Sequence, residues 1–163
     1  MTTSLTCIIA YTAEDDRFAP LRRAAVETAQ AAQARLILYD IDAAQLLASP
    51  RPNEWSGDGA DQEFPSLLMP DDLERAGRHA IATQVREARN AGVDAYAWLP
   101  AKKGADALAE YADEQGADLI MMPHAMEEAG LFDRLRGATV DKAAEATGRP
   151  IAVVNDDGEV QYR

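Results

Sequence analysis

Three observations predict a single α/β domain built on an open, five-stranded, mostly parallel sheet with helices on both faces. Short apolar runs alternate along the chain with longer segments whose apolar residues recur every three or four positions, the rhythm of strands and amphipathic helices. The runs are apolar enough to be buried on both faces, as the strands of a parallel sheet are. A length of 163 residues suits one core and would leave two cores marginal.

The first run, Leu5 to Tyr11, is short and rich in Ile, which predicts a central parallel strand. After the acidic turn Glu14, Asp15 and Asp16, the residues Phe18, Leu21, Ala25, Ala29 and Ala32 form one helical stripe. Pro20 fits the first turn of that helix, where a missing N–H costs nothing. RLILYDI, Arg35 to Ile41, is the second strand, and strand, helix, strand implies a right-handed crossover. From Ala48 to Pro70 six prolines and glycines interrupt any regular pattern, predicting a long loop. Trp55, Phe64, Leu67 and Leu68 are too apolar for a solvated linker, so part of that loop is expected to pack on the domain or on a partner. Asp71 or Asp72 is placed to cap the next helix, read as one stripe of Leu73, Gly77, Ile81, Val85 and Ala88 that stops at Gly92.

Val93 to Leu99 gives a third strand whose alternation leaves one face partly exposed. A helix from about Gly104 to Gln115 turns Ala105, Leu108, Ala109 and Ala112 inward, Ala117 to Pro123 is the fourth strand, a helix follows from about Thr139 to Thr147, and Pro150 to Val154 is the fifth strand. In the tail, 155–163, Asp157-Gly158 is a tight-turn pair before a short alternating segment. That segment either folds back as a hairpin or pairs with the edge of a second subunit.

Composition narrows the function classes. Hydrophobic residues make up 47% and charged residues 27%, as in ordinary folded proteins. No apolar run reaches the length of about 20 residues that spans a bilayer. The start MTTSLTCIIAYT lacks a basic stretch followed by a cleavable apolar one, so a cytoplasmic location is expected. A formal net charge of -12 repels phosphate backbones and anionic lipids, which argues against nucleic acid and membrane partners. Cys7 is the single cysteine and lies inside the first apolar run, so it reads as a buried thiol.

The candidate sites fall at the carboxyl ends of the strands, where open α/β sheets bind ligands. Glu14, Asp15 and Asp16 offer oxygen ligands for Mg2+, but the third strand ends without the acidic residue a phosphate-accepting site needs. Capping of the following helix is the preferred reading. His79 lies in a helix beside Glu74 and Arg78 and reads as a surface residue. His124 ends the fourth strand beside Pro123, where a pocket would open, without a sequence neighbour that defines catalysis. Lys102 and Lys103 before Gly104 are a solvated turn or an anion site at a helix start. Arg134 and Arg136 before Gly137 suit phosphate, or equally a helix surface.

With these elements in place the chain resembles the universal stress protein family from Thr6 to Val154. The resemblance is carried by TCIIAYT, ARLILYDID, GADALAEYADEQGADLIMMPHA and GLFDRLRGATVDKAAEATGRPIAVV. It implies a Rossmann-like fold of the adenine nucleotide alpha hydrolase type. ATP-binding members resemble one another in a loop of glycine, two residues, glycine, nine residues, then glycine and a serine or threonine, where glycines let backbone N–H groups approach phosphate. Those places fall on His124, Glu127, Gly137 and Ala138, so the last glycine alone is kept and Glu127 puts a carboxylate beside the phosphates. Thr139 offers a hydroxyl one position late. The acidic residue that ends the first strand in binding members falls on Thr12, with Glu14 or Asp15 able to substitute through a shift of the loop.

The resemblance implies a non-catalytic stress-response domain with a degenerate ATP loop. It binds a small molecule or protein partner and forms a homodimer through the fifth strand and tail. The alternative is a domain that binds or weakly hydrolyses ATP with Mg, using a rearranged pocket of Thr12, His124, Arg134, Arg136, Gly137, Ala138 and Thr139. A third reading is an interaction module that docks through Trp55 and Phe64.

Overall fold

Burial of the first two apolar runs organises the chain. β1 (Cys7–Thr12) and β2 (Arg35–Asp40) pair in parallel from Cys7 opposite Arg35 to Thr12 opposite Asp40. The computed structural model describes residues 4–42, 67–100, 104–124 and 140–162. Around these two strands lie β3 (Ala95–Trp98), β4 (Leu119–Pro123), β5 (Ile151–Val154) and β6 (Val160–Tyr162) in the order β3-β2-β1-β4-β5-β6. The first five strands run parallel and β6 is antiparallel to β5. β1 is central, as its composition predicts, and the strand order reverses there, which opens a crevice at the carboxyl ends of β1 and β4.

The helices are α1 (Ala19–Ala32), α2 (Pro70–Arg75), α3 (His79–Asn90), α4 (Ala105–Gln115) and α5 (Val140–Thr147). Right-handed crossovers put α1 and α3 on one face and α4 and α5 on the other. Ile8, Ile9, Leu36, Ile37, Leu38 and Ile120 are fully buried between the layers, each contributing about 1.5–3 kcal/mol of transfer free energy. Among the described residues no helix is long and apolar enough to cross a membrane.

Five expectations need correction. The stripe from Leu73 to Ala88 is two helices rather than one, because Gly77 takes φ +79° and ends α2. Gly77 N–H donates to Glu74 O at 3.1 Å and Arg78 N–H to Leu73 O at 2.8 Å, the two bonds of a Schellman stop. Met69 is the cap residue of α2, and Asp72 serves from inside the helix by accepting the Met69 N–H at 3.0 Å. The third strand is shorter than Val93 to Leu99. Val93 N–H still closes the end of α3 on Ala88 O at 3.0 Å, and Pro100 has no N–H to extend the strand.

The strand count is six, since the tail folds back as a hairpin. Gly158 turns at φ +89° and Asn155 N–H reaches Glu159 O at 2.9 Å, which carries Val160 opposite Val154. The last correction concerns α4, where Tyr111 is buried with Leu108 and Ala112 while Ala109 is only half-buried. Of the long loop, residues 48–66, with Trp55 and Phe64, lie outside the described residues. Its end packs as expected, with Leu68 fully buried and exchanging two backbone hydrogen bonds with Ala97 on the edge of β3.

Candidate functional site

The carboxyl edge of β1 and β2 is a polar network laid over an apolar sheet. Thr12 closes β1, is buried, and donates its hydroxyl to Gln84 Oε1 on α3 at 2.5 Å. Gln84, also buried, donates Nε2 to Ala13 O and to Asp16 Oδ1, both at 3.3 Å. One amide thereby joins the end of the central strand, the following turn and a helix.

The acidic turn does not cap its own helix as expected. Glu14 reaches across to α3, where its two carboxylate oxygens accept the backbone N–H groups of Ala80 at 2.8 Å and Ile81 at 3.0 Å. The reason is geometric: the turn after β1 and the start of α3 lie at the same edge of the sheet, and the free N–H groups of a first helical turn attract any carboxylate within reach. α1 begins at Phe18 without a side-chain cap. Asp15 accepts the Arg17 N–H at 3.2 Å, and Asp16, held at φ +58°, pairs with Arg22. Glu14 is therefore committed to α3 and is not placed to substitute for an acid at Thr12.

Asp40, the last residue of β2, is 0% exposed. Arg78, from the corner between α2 and α3, donates Nε to Asp40 Oδ2 at 2.8 Å. Its Nη2 stands 2.6 Å from the same oxygen as an ion-pair contact, off the axis of a hydrogen bond. Oδ1 accepts the Asp42 N–H at 3.0 Å. Burial pushes the carboxyl up to about 6, against the pull of Arg78. Asp42 in turn pairs with Arg17 at 2.9 Å. Arg17, Arg22 and Arg78 are thus each paired to a carboxylate.

Beneath this edge a ladder of rings crosses the other face of the sheet. Tyr11, Tyr39 and Trp98 stand in register on β1, β2 and β3, with centroids 4.6 Å and 4.9 Å apart, and Tyr111 of α4 stacks on Trp98 at 3.7 Å. Burial raises the phenols of Tyr11, Tyr39 and Tyr111. The Tyr11 hydroxyl is enclosed without a hydrogen-bond partner among the described residues. Cys7 is buried as expected, its thiol pushed up to about 11 by desolvation.

Of the candidate pocket, Thr12 ends β1 and His124 follows the end of the adjacent strand β4, with Thr12 buried and His124 exposed. Arg134, Arg136, Gly137, Ala138 and Thr139, like Glu127, Lys102 and Lys103, lie outside the described residues. His79 is on the surface, 67% exposed, with Nδ1 2.7 Å from Glu74 Oε2. Among the described residues no group of three or more His, Cys, Asp or Glu side chains is arranged to hold a metal ion.

Sequence reading missed Asp40, Arg78 and Gln84. A signal existed for each: an acid closing an apolar run, a cation directly after a helix-ending glycine, and an amide on the apolar stripe of a helix.

No family model matches the chain, and no curated protein matches it. Solved structures do. A universal stress protein in complex with cAMP shares 19% identity over 94% of this chain and 98% of its own, with a TM-score of 0.52. A universal stress protein from Archaeoglobus fulgidus shares 14% over 96% and 93%, at 0.51. The universal stress protein from Archaeoglobus fulgidus in complex with dAMP shares 14% over 96% and 98%, at 0.53. The chain has the Rossmann-like fold of the universal stress proteins, as the sequence resemblance implies.

Proposed function

We propose that this chain is a non-catalytic stress-response domain that binds an adenosine monophosphate, free or cyclic, at the crevice between the carboxyl ends of β1 and β4. The observation that carries this reading is the reversal of strand order at β1, the place where open α/β sheets take ligands, with a polar edge built around Thr12. Two solved structures of the same fold were obtained with cAMP and with dAMP. A monophosphate is favoured over a triphosphate on charge. Arg17, Arg22 and Arg78 are already paired with carboxylates, and in sequence Glu127 stands where phosphate-binding loops have a glycine. A triphosphate would bring more negative charge than that arrangement neutralises.

The test is titration of AMP, cAMP and Mg-ATP into protein freed of small molecules, at concentrations that detect dissociation constants up to about 1 mM. One-site binding of AMP or cAMP that exceeds binding of Mg-ATP is expected. Preference for Mg-ATP would favour instead the rearranged pocket of Thr12, Arg134, Arg136, Gly137 and Thr139. No binding of any of the three would remove the nucleotide reading.

We also propose a cytoplasmic homodimer joined through the tail. In the fold β6 covers β5, so the edge offered to a second copy is that of β6, where Tyr162 is 63% exposed. Among the described residues β6 is the last strand of the sheet, and an edge strand bearing an exposed ring is suited to pairing with its own copy. Sedimentation at micromolar concentration checks this, with a strict monomer counting against it.

A further inference from the structure

We propose that the α2–α3 corner is a pH-sensitive cover over the carboxyl ends of β1 and β2, closed more firmly in acid and easier to open toward neutral pH, with Asp40 as its sensor. This stands whether or not a nucleotide binds.

The geometry comes first. α2 has only six residues, Pro70–Arg75, and turns at Gly77 into α3. The corner is held down by Leu73 and Ala76 in the core, by Glu14 on the first turn of α3, and by Arg78 on Asp40. Asp40 is fully enclosed when the corner is down. Lifting the corner removes Arg78 and hydrates Asp40 in a single movement, so the two positions of the corner present the carboxyl with two different environments.

Among the described residues Arg78 is the cation that meets Asp40, and it engages a single oxygen of it. From Asp40's own turn comes Asp42, an anion, which is occupied by Arg17 from the turn after β1. Thr12 beside it in the sheet is neutral, as is the Gln84 that binds Thr12. Glu14 is committed to the backbone of α3, and His79 turns outward to Glu74. Enclosure thus disfavours the carboxylate more than its single guanidinium restores, in accord with a closed-state value of about 6.

The sign follows from linkage. A carboxyl that holds its proton up to about pH 6 when covered and only to its ordinary value of about 3.9 when hydrated binds protons more tightly in the closed form. Acid therefore favours closure. Opening becomes easier as the pH rises from about 4 to about 7 and then levels off. Across that window the ratio of open to closed corners should rise roughly 50-fold.

The experiment is native-state hydrogen exchange on the full chain between pH 4 and pH 7, corrected for intrinsic exchange and read at the Leu73, Gly77 and Arg78 amides. The wild type should open roughly 50-fold more at pH 7 than at pH 4. Asp40→Asn should flatten the dependence, and His79→Gln should leave it intact. A flat or reversed wild-type profile overturns the proposal, as does a dependence that survives Asp40→Asn or disappears with His79→Gln. If Asp40→Asn does not fold, the carboxyl carbon of Asp40 is followed by NMR in the wild type. A midpoint near pH 6 supports the sensor, and a midpoint in the ordinary carboxylate range overturns it.

Discussion

Thr12 donates its hydroxyl to Gln84 Oε1 at 2.5 Å across 72 residues of chain, and both side chains are buried. The end of the central strand is fastened inward to α3 by this bond. Removing one partner leaves the other buried and unsatisfied, which costs about 1–3 kcal/mol. Thr12→Val, which keeps the shape and loses the hydroxyl, should destabilise the protein by that amount in chemical denaturation. Combined with Gln84→Met, the loss should be smaller than the sum of the two singles by about 0.5–3 kcal/mol. Strict additivity would show that the two residues do not work as a pair.

Glu14 accepts two backbone N–H groups of a helix that begins 65 residues later in the chain, counting from Glu14 to His79. It acts as a helix cap supplied from another part of the fold. Glu14→Ala should therefore cost about 0.5–2 kcal/mol, and the melting temperature should fall by a few degrees, at about 2–4 °C per kcal/mol for a chain of this size. Because the cap holds the start of α3, the loss should be accompanied by faster exchange of the Ala80 and Ile81 amides, whereas distant β5 amides should slow or quicken only with global stability.

These contacts mark where sequence reading stops. β1 and β2 were legible because an unbroken apolar run fills each, Cys7 to Tyr11 and Leu36 to Tyr39, and β1's central position follows from burial on both faces. The break at Gly77 was hidden, since Leu73, Gly77 and Ile81 keep the four-residue spacing of one continuous stripe and only the backbone angle interrupts it. Glu14 and its helix, Thr12 and Gln84, and Asp40 and Arg78 are remote in sequence, and no local pattern joins them. Asp40 was also masked by its setting: at the end of RLILYDI it reads as the polar exit of a strand, and only the arrival of Arg78 from the corner turns it into an enclosed charge.

Asp118 ties together the other end of the sheet. One oxygen, Oδ2, accepts the Thr6 N–H and the Thr6 hydroxyl at 2.6 Å each, and the Cys7 N–H at 3.1 Å. These bonds, led by the Thr6 hydroxyl, hold its carboxyl below the usual carboxylate range. A depressed value in the folded state means that the contribution to stability is present above the ordinary value of about 3.9 and is lost as the pH falls through the folded one. Asp118→Asn should accordingly be less stable than the wild type at pH 7, with the gap closing as the two are compared at progressively lower pH below about 4. A gap that is constant across that range would mean the ionised form of Asp118 contributes nothing.

Tyr11 offers a prediction of the opposite sign. Its ring stacks on Tyr39 and belongs to the ladder that runs through Trp98 to Tyr111, so the aromatic body is needed where it is. Its hydroxyl is buried without a hydrogen-bond partner among the described residues, and such a group loses its hydration on folding and gains no replacement. Tyr11→Phe keeps the ring and removes the unsatisfied oxygen. It should be neutral or raise stability by about 1 kcal/mol, an uncommon result for a change in a core. Tyr11→Ala removes the stack as well and should cost about 3–5 kcal/mol. Denaturation of the two variants beside the wild type separates the contributions. A clear loss of stability in Tyr11→Phe would mean that the hydroxyl finds a partner in solution and that the ladder is anchored at its first ring.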